Sequence, residues 1–274
     1  MVKKLFSKGY ILLILALLYT PILFIVVFSF SGNSRFTFSD GFTLDSYRAI
    51  FTSEQTPYLL QALKNTFFIA AVSSVAATIL GSIAAIGIYS LKRRSRRVVE
   101  NINQLPIINS EIVMAVSLML FFVTFKFPEG YLRLILAHIS FCTPYVVLSV
   151  MPRLTQMDPN IYEAALDLGA NPFRALVTVL IPIISPGILS GFAMAFTLSL
   201  DDFIITQLNK GATTGIDTLS TYIYSSQRNA GGLRPFWFAV FSIIIVAIVT
   251  FVLIINLKKA KNIDQKEKEN EKSA

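Results

Sequence analysis

Asp158-Pro159-Asn160-Ile161-Tyr162-Glu163-Ala164-Ala165-Leu166-Asp167-Leu168-Gly169-Ala170-Asn171-Pro172-Phe173-Arg174 is a polar island between two long apolar runs. It predicts two short helices with a break between them. Asp158 can cap the first, because its carboxylate can take the free N–H groups of an opening turn. Pro159 suits the first helical position, where a missing N–H costs nothing. Gly169 falls just past the end, where a left-handed residue closes a helix. Asn171-Pro172 repeats the cap-then-proline signal and starts a second segment expected to run to Pro182. A capped loop of this kind, set at a membrane surface, is shaped to be gripped by another protein.

The apolar runs on either side decide the fold class. The chain has 274 residues, 54% hydrophobic and 15% charged, with a mean hydropathy of +0.64. Soluble domains carry about 25% charged residues, so the composition points to a bilayer. The net charge of +8 could suggest nucleic acid, yet the basic residues sit beside apolar runs and in the tail. That is the pattern of membrane topology. The single cysteine, Cys142, excludes an intrachain disulfide and argues against a metal cluster.

Taken in order, the pattern predicts an all-α, polytopic protein with six transmembrane helices. The first runs from about Tyr10 to Phe30; it exceeds the usual 7–15 residues of a signal core and has no A-x-A-like site after it. A polar loop with aromatics (Phe36, Phe38, Phe42, Tyr47, Phe51) follows. Span two, Leu63 to Leu91, is rich in small residues that let helices approach closely in lipid. Lys92-Arg93-Arg94-Ser95-Arg96-Arg97 is expected to stop it. Spans three to six are expected at Pro106–Phe125, Tyr131–Met151, Pro186–Leu208 and Pro235–Leu257. Each is near the ~20 residues that cross a hydrocarbon core. The domains are then 1–62 (first span and outer loop), 63–257 (a core of five spans with the loop 152–182) and 258–274, a mixed-charge tail expected to be disordered. Sixteen of the 24 lysines and arginines fall on the side holding the termini and the island. The positive-inside rule therefore places both termini and the island in the cytoplasm.

No motif for catalysis is present. The chain has no G-x-x-x-x-G-K-[ST] phosphate loop, no H-E-x-x-H and one histidine, His138. Any ATP-driven step must therefore use another subunit. Ionisable residues within spans are expensive and are functional candidates by default. Asp201, with Asp202 next to it, lies ~22 Å beyond Pro186 at 1.5 Å per residue. Phe203, Tyr222 and Tyr224 nearby can add cation–π contacts to a bound cation. The competing reading is that these acids end the span or cap a short helix. Adjacent residues on a helix point about 100° apart, so both cannot face one pore. Glu111 is expected about one turn inside the cytoplasmic end of span three, near the interface. A lone histidine on an apolar run is more often hydrogen-bonded within a bundle than a proton carrier.

Glu163-Ala164-Ala165, then Gly169 and Val179-Leu180-Ile181-Pro182, resembles the E-A-A-x3-G-x9-I-x-L-P signature of ABC-importer permeases. Val179 and Ile181 stand where that pattern has Ile and Leu. Thr197-Leu198-Ser199-Leu200-Asp201-Asp202-Phe203 and Thr218-Leu219-Ser220-Thr221-Tyr222-Ile223-Tyr224-Ser225 are similar to the PotC-type permease subunits of spermidine/putrescine importers. Glu111 looks like an acid carried early in span three by such subunits, with Ser110 where they have proline. The resemblance implies a type I ABC-importer permease fold in a bacterial cell membrane and transport of polyamines by alternating access. It implies that Glu163, Ala164, Ala165 and Gly169, with Asp167 and Arg174 in the same loop, dock on an ATPase. Asp201, Asp202, Glu111, Phe203 and Tyr222 would line the substrate pathway. Implied partners are a second, PotB-type permease, two ATPase copies and an extracytoplasmic binding protein. ATP and Mg would be bound by the ATPases and no cofactor or metal by this chain.

Other cargoes (iron, sulfate, thiamine) remain open at this stage. So does an ion-coupled secondary transporter using Glu111, His138 and the aspartates, although the chain lacks inverted-repeat signs and that reading leaves the capped loop without a purpose. A membrane-anchored scaffold would not need acids within spans.

Overall fold

The computed structural model describes residues 2–32, 41–158, 160–211, 214–230, 236–250 and 253–254. Pro159, Phe36, Phe38 and the tail from Lys258 fall outside them. The described residues are helical apart from turns, loops and one isolated bridge, Ser31 to Phe42. The helices are α1 (Val2–Phe28), α2 (Asp45–Thr52), α3 (Thr56–Tyr89), α4 (Arg93–Ile108), α5 (Glu111–Thr124), α6 (Tyr131–Gln156), α7 (Asn160–Asp167), α8 (Pro172–Ala175), α9 (Ile181–Asp201), α10 (Ile204–Asn209) and α11 (Leu219–Ala230), then α12 (Phe236–Thr250). Among the described residues, four stretches are long and apolar enough to cross a membrane: Tyr10–Phe28, α3, α6 and Pro172–Asp201. The α4–α5 pair makes a fifth if taken as one broken span, and α12 is a shorter apolar helix.

Two compact units form, one from Tyr58–Tyr224 and one from Met1–Pro57 with Ser225–Ala274. In the smaller unit, Tyr47 ties elements together: its hydroxyl lies 2.7 Å from Ser29 Oγ and donates to Ser242 Oγ at 3.2 Å. The exposed apolar side chains of α1 from Tyr10 onward suit a helix whose solvent is lipid.

The larger unit is built on α6 against α9. On α9, Gly187, Gly191, Ala195 and Ser199 recur every fourth residue and are all buried. This is the small-residue stripe that lets two helices approach closely in lipid. A Cβ on Gly191 would stand 3.1 Å from Val146 Cγ1 of α6, and one on Gly187 2.8 Å from Arg153 Cγ. On α3, Ala70, Ser73, Ser74, Ala77, Gly81 and Ala85 are buried in the same manner. There a Cβ on Gly81 would reach 2.6 Å from Val146 Cβ. Val146 thus sits in a slot between two glycine-bearing helices.

Three span boundaries differ from expectation. Span three is not one helix over Pro106–Phe125: the arginine run itself opens α4, and α4 and α5 meet at a 102° bend. Asn109 adopts extended backbone and Ser110 caps α5 by accepting from Val113 N at 3.5 Å, so local capping overrides the continuous apolar pattern. Span five does not run on to Leu208; α9 ends at Asp201, and Asp202-Phe203 starts the separate α10. Pro182 does not end the segment opened by Pro172. A π-helical turn, Leu176–Leu180, carries the chain into α9, where Pro182 occupies the tolerated first turn.

Candidate functional site

Two sites emerge, one at the polar island and one where two helices break. At the island, Asp158 Oδ1 accepts from Asn160 N at 3.0 Å and opens α7. The close of α7 is a Schellman arrangement. Ala170 N donates to Ala165 O at 3.1 Å and Gly169 N to Leu166 O at 2.9 Å, with Gly169 at φ +87°. Asn171 Oδ1 then accepts from Arg174 N at 2.7 Å and starts α8. Glu163, Ala164, Asp167, Gly169 and Arg174 are exposed and Ala165 is partly so. Composition and spacing did not single out two further residues here. Leu168 is 89% exposed and Phe173 73% exposed. Large apolar side chains beside an acid and small alanines form the kind of patch that anchors a protein partner. Their signal was present: Leu168 and Phe173 flank the Gly169–Pro172 break instead of sitting within a helix stripe.

The second site forms where the α4–α5 break and the α9–α10 break meet. Asp202 is only 4% exposed. Its carboxylate caps α10, accepting from Ile205 N at 3.1 Å, Thr206 N at 2.8 Å and Thr206 Oγ1 at 2.7 Å. Its carbonyl accepts from Ser220 Oγ at 2.9 Å, which fastens the start of α11 to the break. His138 of α6 lies 2.7 Å by Nδ1 from Ser199 Oγ and 3.0 Å by Nε2 from Thr206 Oγ1. The lone histidine is therefore a fully hydrogen-bonded tie between α6, α9 and α10. Asp201, one residue earlier, is exposed. The two neighbouring carboxylates have separate surroundings, as the 100° step of a helix requires.

Glu111 is the first residue of α5, directly after the α4–α5 bend. It is exposed beside the break and close enough to interact with Asp202 and Asp201. The reason is α4, which travels along α6 before α5 begins: Arg96 Nη2 touches Met151 Sδ at 3.5 Å and Asn103 Nδ2 donates to Pro144 O at 3.3 Å. The structure thus gathers Glu111, Asp201 and Asp202. Phe203 pairs with Tyr224, ring centroids 5.0 Å apart. Tyr222 is half-buried and lies near Tyr58 and Asp217. Irregular backbone at the depth of a membrane is tolerated where it is buried in protein or lines a cavity, and paired half-helices are a frequent basis for substrate sites.

This arrangement of helices has relatives. The binding-protein-dependent transport system inner membrane component family matches residues 77–261. The chain belongs to this family. The permease is 34% identical over 223 residues to the spermidine/putrescine transport system permease protein PotC of Escherichia coli (strain K12), covering 81% of this chain and 83% of that one. It is 31% identical to the PotC of Haemophilus influenzae, covering 93% of this chain and 96% of the relative. The putrescine transport system permease protein PotI of Escherichia coli (strain K12) is 34% identical over 86% of this chain and 84% of its own. The permease also shares its fold with a chain of a bacterial ABC transporter that imports the acidic polysaccharide alginate (TM-score 0.70, 15% identity, 94% of this chain and 95% of that one). It is thus an all-α, multi-pass membrane permease.

Proposed function

We propose that this chain is a transmembrane permease subunit of an ATP-driven importer that moves polyamines, spermidine or putrescine, across the cell membrane by alternating access. The cargo reading is supported by the three polyamine-permease relatives, which match it over most of their length. It agrees with carboxylates grouped at paired helix breaks, where an incoming polycation gains charge pairing. The exposed acids Asp201 and Glu111 are the side chains we assign to cargo; Asp202 holds the α9–α10 break beside them.

The observation that carries the mechanism is the capped α7–α8 pair, with Glu163 and Ala164 on its exposed surface. In this reading the pair seats in an ATPase subunit and transmits its closure to α9 through the π-helical turn. ATP and Mg belong to two ATPase copies. A PotB-type second permease supplies the other half of the pathway, and a binding protein delivers cargo from outside. Six spans, with both termini and the island in the cytoplasm, complete the arrangement.

The test is reconstitution of the complex in proteoliposomes with labelled spermidine. Uptake should require ATP, and Glu163→Lys should abolish uptake while ATPase activity persists. Uptake by this chain alone, driven by a proton gradient without ATPase, would overturn the reading.

A further inference from the structure

We propose that the arginine-bearing start of α4 binds the phosphate headgroup of an anionic phospholipid, with an acyl chain lying along the exposed apolar row of the same helix. Among the cations of Lys92–Arg97, one is spent within the fold. Arg96 Nε pairs with Glu100 Oε1 at 2.8 Å, and its guanidinium stands 4.9 Å from the Tyr89 ring centre. Lys92, Arg93, Arg94 and Arg97 are exposed and have no carboxylate within ion-pair distance among the described residues. The opening turn of α4 holds no acid, and no side chain caps it. Four uncompensated cations therefore crowd the positive end of a helix dipole, an arrangement that favours a bound anion. A cavity of about 350 Å³ lies among Leu91, Arg93, Arg96, Arg97 and Glu100.

The apolar half of the surface continues directly from the cations. Val98, Ile102, Leu105 and Ile108 are all exposed, and their spacing puts them on one face of α4, in line with Arg94 four residues before Val98. From Val98 to Ile108 the row extends about 15 Å, half of a ~30 Å hydrocarbon core. Because α4 runs beside α6 from Met151 to Pro144, this row leads inward with the cations at its outer end. Charge above and one leaflet's depth of apolar surface below match a phospholipid. A free phosphate would use only the first, and another protein would leave the cations needing acids of its own.

The test uses the full chain, purified and delipidated, with native mass spectrometry after adding phosphatidylglycerol or phosphatidylcholine of identical acyl chains. The wild type should prefer phosphatidylglycerol by on the order of tenfold or more, and R94Q/R97Q should bring the two lipids close to parity. K126Q/R228Q removes equal charge elsewhere and should keep the preference. Circular dichroism should show unchanged helix content in both variants. No preference in the wild type, equal loss in both variants, or a lipid-free dimer mass in its place would overturn the proposal. Full displacement by inorganic phosphate at millimolar concentration would make a free anion, not a lipid, the ligand.

Discussion

His138 Nε2 stands 3.5 Å from Asp202 Oδ2, and both side chains are fully buried. The Thr206 hydroxyl donates to Asp202 Oδ2 at 2.7 Å. The Thr206 oxygen then takes the proton on His138 Nε2, and Nδ1 accepts from Ser199. Every polar group in the cluster is satisfied by one orientation of protons. Such a cluster fixes one register of α6 on α9 and α10, because any slip leaves a buried polar group unpaired.

His138→Ala should therefore destabilise the protein by about 2–4 kcal/mol, from the lost packing and the hydrogen bonds left open at Ser199 and Thr206. The midpoint of thermal unfolding in detergent measures it. An unchanged midpoint would mean that the network is not holding the helices.

The neighbouring aspartates should separate stability from transport. Asp202→Ala removes the cap of α10 and should cost about 1–2 kcal/mol of stability. Asp201→Asn, at an exposed position, should leave the unfolding midpoint within error and reduce spermidine uptake in the reconstituted complex. Swapped results would reverse the roles assigned to the two carboxylates.

Gly81 and Val146 test the close approach of α3 to α6. Gly81→Ala puts a methyl where Val146 Cβ is 2.6 Å away, and overpacking of that kind typically costs about 1–3 kcal/mol. Val146→Ala alone also destabilises, by removing buried methyls. The pair together should be more stable than the sum of the single effects, which a double-mutant cycle on unfolding midpoints detects.

Gly169 has open space around its Cα, with nothing within 4 Å of an added Cβ. Gly169→Ala therefore meets only the backbone strain of φ +87°, about 1–2 kcal/mol confined to the end of α7. Gly169→Asn should be milder, since asparagine tolerates the left-handed region. ATP-dependent uptake should fall in the order wild type, Asn, Ala.

Leu168→Ala with Phe173→Ala should leave folding intact, because both side chains are largely exposed. It should weaken copurification of the ATPase subunit and lower uptake in proportion. Retained copurification would shift the docking contact to the acid and alanines alone.

Much of the architecture was legible before any coordinates. The caps at Asp158 and Asn171 and the left-handed Gly169 depend on groups a few residues apart. The long apolar runs depend on transfer out of water residue by residue. What was illegible involved competition between such local signals. The run around Pro106–Phe125 is apolar enough for one span, yet Asn109 and Ser110 break it. The run beyond Pro186 continues past Asp201, yet the carboxylate of Asp202 prefers to cap a new helix. The meeting of Glu111 with Asp201 and Asp202 was not legible, because the arginine run reads equally as a span stop or a helix start.

The amino-acid sequence alone thus settled that the protein lives in a bilayer, is all-helical and carries a capped island, because transfer energies and capping act within a turn or along one run. Only the tertiary structure decided which aspartate is buried, where His138 finds its partners and that Glu111 meets Asp201 and Asp202. Those outcomes rest on the register of α6 against α9 and of α4 against α6. That register is set by glycines and small residues on one helix meeting Val146 and its neighbours on another, many residues away along the chain.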